Sequence, residues 1–215
     1  MKYRGAIFDL DGTLVDSMPV WENIGWTYIA LLGIAPPQDI GRTLKTMSLA
    51  EGAAYFIKEL HINKSEQEIL NGILALIEKQ YRESIPLKPH VMPFLIRLTE
   101  AGVKCCVVTA SDRSLAEAAL SRLGVLEYFA FILTCGDTGC GKNDPAIFQK
   151  ALCMLGTGAD ETIVFEDALH AAATAKAAGL TVAAVYDASA AVDMQAMRDA
   201  ADFYLDSFGE WEKIL

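Results

Sequence analysis

No stretch of this chain is apolar over the roughly 18 residues that a membrane-crossing helix needs. Basic residues are also in short supply: 18 Lys and Arg stand against 28 Asp and Glu, a formal net charge of −10. That deficit argues against nonspecific binding to nucleic acid or to an anionic membrane. It leaves open a small anionic substrate, because a cation inside a cleft reverses the local field. Cysteines lack pattern. Cys105, Cys106, Cys135, Cys140 and Cys153 are odd in number and show no paired metal-ligand spacing. Cys105-Cys106 lies within an apolar run, where small buried thiols are expected. No internal repeat and no low-complexity segment is found, which excludes solenoids and disordered tails. Met1-Lys2-Tyr3-Arg4 leads directly into a strand pattern with no secretory leader. The expected setting is therefore a reducing cytoplasm, and the expected partner a small molecule. A monomer or weak homo-oligomer is expected.

What is present suffices for a full core. The 215 residues are 53% hydrophobic, enough for one domain or two compact parts. The stretch that organises the rest is Ala6-Ile7-Phe8-Asp9-Leu10-Asp11-Gly12-Thr13-Leu14. Arg4 to Phe8 reads as a short strand buried on both faces of a parallel sheet. It ends on Asp9, Asp11 follows, and Gly12-Thr13 turns the chain. Binding crevices in open α/β sheets lie at the carboxyl ends of the strands. Two acids there can serve as nucleophile and proton carrier. The same letters also suit a plain acidic turn.

From Asp16 to about Pro86 the pattern becomes helical, over Met18–Leu32, Ser48–Leu60 and Ser65–Ser84, with Gly33, Pro36-Pro37 and Gly41 as breaks. Ser65 and Glu68 form a capping-box signature. The expected arrangement is a helical domain over residues 16–86, inserted into a domain made of residues 1–15 and 87–215. In the latter, helices at Met92–Ala101, Ser114–Leu123, Pro145–Leu155 and Ala168–Ala178 alternate with strands at Val103–Thr109, Phe129–Leu133, Thr162–Phe165 and Thr181–Val185. Phe203–Leu215 reads as a short strand and a terminal helix. Such alternation predicts right-handed crossovers and an α/β fold with a doubly wound parallel sheet.

A parallel sheet gathers its strand ends on one edge. The first strand delivers Asp9 and Asp11, and the next delivers Thr109, followed by Ala110-Ser111 at a helix start, which suits a phosphate. Lys142 precedes the helix near Pro145, and Ile163-Val164-Phe165 delivers Glu166 and Asp167. Crowded carboxylates raise one another's pKa values. A hard divalent cation relieves that, and Mg²⁺ prefers oxygen ligands with water and substrate phosphate.

The motifs Asp9-Leu10-Asp11-Gly12-Thr13, Thr109 after its strand, Lys142 with Pro145 and Phe148, and Phe165-Glu166-Asp167 with Ala177-Ala178-Gly179 together resemble the haloacid dehalogenase superfamily, in its phosphoglycolate phosphatase and beta-phosphoglucomutase-like branch. The resemblance spans essentially the whole chain. It implies a Rossmann-like core with a helical cap after the first strand. It further implies a phosphatase in which Asp9 attacks phosphorus to give an aspartyl phosphate and Asp11 acts as acid and then base. Thr109, Ala110 and Lys142 would hold the phosphoryl oxygens. Asp9, the backbone carbonyl of Asp11 and Asp167, with Glu166 beside them, would ligate Mg²⁺.

The chain departs from the family pattern at Asn143, where proline commonly follows the lysine, at Ala168, where serine is common, and at Ala171, where glycine is common. Arg42, Lys45, Thr46 and Ser48 lie near a break in the insertion, and of these Lys45 is the candidate substrate contact. Trp21 occupies about the place of a histidine typical of beta-phosphoglucomutases, so hydrolysis is preferred to phosphosugar mutation. A dehalogenase lacks the Asp11 acid/base, a phosphonate hydrolase would use a lysine such as Lys45 in the cap, and a non-catalytic binding protein would not need the full set of acids.

Overall fold

The structure, a computed structural model, describes residues 2–45 and 47–214. The chain divides after Ser17 and again after Ser84 into two compact units, the larger made of both terminal segments. Strand β1 (Gly5–Phe8) opens the larger unit. The smaller unit carries α1 (Met18–Leu31), α2 (Ile40–Leu44), α3 (Leu49–Glu59) and α4 (Glu66–Glu83), with no strand among the described residues. The larger unit resumes with α5 (Val91–Glu100), β2 (Lys104–Thr109), α6 (Arg113–Arg122), β3 (Phe129–Thr134), α7 (Cys135–Thr138) and α8 (Ala146–Leu155). It ends with β4 (Thr162–Glu166), α9 (Leu169–Ala177), β5 (Thr181–Val185), α10 (Met194–Ala200), β6 (Phe203–Leu205) and a 3₁₀ segment at Phe208–Lys213.

The six strands form one sheet in the order β3-β2-β1-β4-β5-β6, and every neighbouring pair is parallel. This is the doubly wound α/β arrangement expected from the alternating pattern. The order reverses direction between β1 and β4, and such a switch point opens a crevice at the carboxyl ends of the strands. All of β1 is buried, as a central parallel strand requires.

Alternation along the strands sorts the core into two faces. Ile7, Cys106, Val108, Val164, Val182 and Ala184 join one cluster with residues of α8, α9 and α10. On the other face Phe8 stacks on Phe165 at 4.5 Å and meets Phe94 of α5 edge-on at 6.2 Å. Phe208 packs against the same rings, 5.2 Å from Phe94 and 5.6 Å from Phe165. Buried aromatics of this kind dominate core energetics, and truncating Phe8 to alanine costs about 3–5 kcal/mol.

The smaller unit is built from capped amphipathic helices. Ser48 with Glu51 and Ser65 with Glu68 close reciprocal capping boxes on α3 and α4. Ile69, Ile73, Ile77 and Tyr81 recur every fourth residue on α4 and are all buried. Trp21 Nε1 donates to the Tyr81 hydroxyl at 2.9 Å, and Tyr28 stacks near Phe56.

Three helices among the described residues escape a reading of the sequence: α2, α7 and α10. The segment around Gly41 is not simply a break, because Ile40 is buried and holds the single turn α2 across the glycine. The turn α7 is made by a capping box between Thr134 and Asp137. Thr46 lies outside the described residues, as does the last residue of the Phe203–Leu215 segment.

Candidate active site

Asp9 continues β1 by one residue, its N–H donating to the Phe165 carbonyl at 2.9 Å. Phe8 pairs with Phe165 across the ladder, so Asp9 stands level with Glu166 at the switch point. Beyond Leu10 the chain folds back tightly: the N–H groups of Leu14 and Val15 both reach the Leu10 carbonyl at 2.9 Å. Gly12 takes φ 84° in this turn, a conformation an L side chain resists. The turn brings Thr13 under the site, where its hydroxyl donates to Asp167 Oδ1 at 3.1 Å.

Lys142 enters from the loop between α7 and α8 and is buried. Its Nζ donates to Asp9 Oδ1 and, at 2.8 Å, to Glu166 Oε2. Glu166 uses its other oxygen to accept the Ala168 N–H at 3.2 Å. Thr109 ends β2, fully buried, and its hydroxyl oxygen accepts the Ser111 N–H at 3.0 Å. Ala110 is exposed beside it, and α6 begins only at Arg113, so Ala110 and Ser111 lie in a loop ahead of the helix rather than at its start.

The carboxylates of Asp9, Glu166 and Asp167 converge, with one oxygen of each within 4.8 Å of the others. Burial pushes the Asp9 carboxyl well above its ordinary value, Lys142 opposes this, and Glu166, Asp167 and Asp11 add to it. Burial also lifts Asp167, to about 7, with Glu166 adding and Lys142 and the Thr13 hydroxyl opposing. For Lys142, burial works against the ammonium, but Asp9 and Glu166 outweigh it and raise the pKa. Three carboxylates and one ammonium carry a formal charge of −3 + 1 = −2. That excess equals the charge of one divalent cation, and the donors are all hard oxygens. The residues fit such an ion.

The carboxylate of Asp11 lies outside this cluster. Its Oδ1 accepts the Ser17 hydroxyl and its Oδ2 the Ser111 hydroxyl, each at 2.6 Å. Lys45 caps the C-terminus of α2 in the smaller unit and is exposed. His170 is exposed on α9.

The haloacid dehalogenase-like hydrolase family model matches residues 3–179. The chain belongs to that family. Among curated haloacid dehalogenase-like relatives, hexitol phosphatase A of Escherichia coli is 29% identical over 187 residues, covering 86% of this chain and 84% of the relative. The phosphoglycolate phosphatase of Rhodobacter capsulatus is 26% identical over 204 residues, covering 92% and 91%. A solved structure of a candidate beta-phosphoglucomutase from Thermotoga maritima superposes with a TM-score of 0.86 at 22% identity, covering 99% of this chain and all of the other. At that identity the likeness shows the fold.

The family departures leave the converging carboxylates and Lys142 in place. Asn143 is exposed, Ala168 contributes to Glu166 through its backbone, and Ala171 is buried on the core side of α9. Reading the sequence missed three hydroxyl supports of the site: Thr13 on Asp167, and Ser17 and Ser111 on Asp11. The signal for Ser17 was its place just after the hairpin turn.

Proposed function

We propose that the chain is a Mg²⁺-dependent phosphatase of a small phosphorylated carbohydrate or polyol, working through an aspartyl phosphate at Asp9. The observation that carries this reading is the pairing of two differently treated aspartates: Asp9, buried at the switch point against Lys142, and Asp11, held by two hydroxyls outside the acid cluster. An Asp9 oxygen attacks phosphorus as the ester P–O bond breaks, and Asp11 gives its proton to the departing oxygen. Asp11 then takes a proton from the water that attacks the aspartyl phosphate, which regenerates Asp9 and releases phosphate.

The Thr109 hydroxyl, the Ala110 N–H and the Lys142 ammonium hold phosphoryl oxygens in line. Asp9, Asp167 and the Asp11 carbonyl, with Glu166 alongside, would hold Mg²⁺, which when bound neutralises charge on the transferring group. Phosphoryl transfer depends mainly on such positioning and neutralisation.

Support for the substrate class comes from relatives named hexitol phosphatase, validoxylamine A 7'-phosphate phosphatase and phosphorylated carbohydrates phosphatase. We assign substrate selection to the helical unit acting as a cap, with Lys45 as a candidate contact. The indole N–H of Trp21 is engaged by Tyr81, and Trp21 brings no proton-transfer group to the position where the mutases carry histidine.

The test is phosphoenzyme trapping with p-nitrophenyl phosphate and with an alkyl phosphate. Asp9→Asn should form no phosphoenzyme. Asp11→Asn should lose about 10²–10⁴-fold on the alkyl ester, less on the aryl ester, and accumulate the aspartyl phosphate. A phosphoenzyme trapped on the Asp9 peptide of Asp9→Asn, or full alkyl-ester activity in Asp11→Asn, would overturn the assignment.

A further inference from the structure

We propose that Ser111 is a positioning residue for Asp11 that couples occupation of the phosphate seat to readiness of the acid/base. The inference rests on the reading of Asp11 as the proton carrier. Ser111 belongs to two structures at once. Its backbone N–H donates to the Thr109 hydroxyl oxygen at 3.0 Å, which makes it part of the loop after β2. Its own hydroxyl crosses to Asp11 Oδ2 at 2.6 Å, linking residues a hundred positions apart. Ser17 holds the other oxygen, Oδ1, at the same distance from six residues along the chain.

Two donors on different oxygens do what one cannot. The terminal torsion of an aspartate is broad and roughly two-fold, so a carboxylate held at a single oxygen still swings. Held at both, it is fixed in plane, and proton transfer at hydrogen-bond reach demands that placement.

The two serines tie Asp11 to different parts of the site. Ser17 is fully buried. Ser111 is half-buried, in the loop that the proposed function makes the phosphate seat. A phosphoryl oxygen bound beside Thr109 orders that loop and, with it, the Ser111 hydroxyl on Asp11 Oδ2, so the carboxylate is aimed when substrate is present. The engaged oxygen keeps a further lone pair for the proton it carries. Removing the hydroxyl loosens Asp11 while the Thr109 and Lys142 donors to phosphate remain.

The experiment compares Ser111→Ala, Ser111→Thr and Asp11→Asn on p-nitrophenyl phosphate and on an alkyl phosphate, with inorganic phosphate as inhibitor. For Ser111→Ala, kcat on the alkyl ester should fall about 10–10²-fold, a part of what general acid catalysis supplies. The aryl ester, whose leaving group needs little protonation, should change less than about threefold, as should the inhibition constant of phosphate. Ser111→Thr, which keeps the hydroxyl, should recover most of the alkyl-ester rate.

Equal losses on both esters with weakened phosphate inhibition would make Ser111 a phosphate ligand only and overturn the proposal. So would unchanged rates on both esters. If Asp11→Asn discriminates between the esters and Ser111→Ala does not, only the coupling falls. If Asp11→Asn itself shows no discrimination, the acid/base reading falls and takes the coupling with it.

Discussion

Lys142 and Asp9 form an ion pair in which the side chains are only 7% and 8% exposed, and Glu166 shares the same ammonium. Breaking a buried pair by removing one partner costs about 3–5 kcal/mol. Lys142→Met leaves three converging carboxylates without their counter-charge, so its melting temperature should fall. Millimolar Mg²⁺ should return much of the loss, because a cation replaces the missing positive charge. Differential scanning fluorimetry with and without Mg²⁺ checks this. On the proposed mechanism activity should drop by at least about 10²-fold even at saturating Mg²⁺, since Lys142 is there a donor to the transferring group.

Removing divalent ions from the parent protein should abolish turnover, and adding Mg²⁺ should restore it. A cation that binds only the folded state stabilises by about 2.7 kcal/mol at a hundred times its Kd. The melting temperature should therefore rise with Mg²⁺ concentration. Asp167→Asn, which weakens the converging donor set of Asp9, Glu166 and Asp167, should flatten that rise. Undiminished turnover after exhaustive chelation is the contrary result.

Lys88 Nζ donates at 2.7 Å both to Asp187 Oδ2 and to the Tyr186 carbonyl. Burial pushes the Asp187 carboxyl up, but hydrogen bonds from Lys88 and Ser189 outweigh it and hold it below its ordinary value. A carboxyl with a depressed folded pKa contributes stability at pH values above the unfolded value, about 3.9. That contribution is lost as pH falls through the lower folded value. Lys88→Met should therefore be less stable than the parent at neutral pH, with the gap closing on acidification below about pH 4. Urea unfolding at a series of pH values measures the gap.

The thiols should react in a fixed order. Cys153 is exposed, whereas Cys105 and Cys106 lie inside β2 and are buried. Burial pushes the Cys105 thiol up to about 12 and Cys106 well above its ordinary value. The thiolate is the reactive form. At pH 8 an aromatic disulfide reagent should label Cys153 first, and Cys105 and Cys106 only on unfolding. Mapping the labelled peptides over time checks the order.

The sheet was legible because its strands are short, apolar and bounded by glycine. The expected span of β5, Thr181–Val185, is the observed one, and β1 and β2 begin one residue later than expected. Residues carrying strong local signals were placed well, such as Ser65 and Glu68 at the start of α4. What escaped was decided by contacts distant in sequence. α2 rests on burial of Ile40 against a glycine that local propensity reads as a break. α10 ends a segment of small and polar residues, and its inward face is Met197, buried in the core cluster. The strand ends carrying Asp9, Thr109 and Glu166 could be inferred from the pattern alone. The hydroxyls that orient them could not, because Ser111 and Asp11 meet only through the fold.

The chain leaves the core at Val15-Asp16 and returns at Pro86-Leu87 through a single doorway. Val15 and Leu87 form an antiparallel bridge, the Asp16 N–H donates to the Pro86 carbonyl at 3.0 Å, and the Lys88 N–H to the Leu14 carbonyl at 2.9 Å. The two edges of the insertion are thus already stitched like the base of a hairpin. Closing a short loop there costs little entropy, and lengthening it costs only about 0.6 kcal/mol per doubling. The seam thus belongs to the larger unit itself: a helical insertion of another length can be carried between the same two edges while the sheet keeps Asp9, Lys142 and Glu166 in place.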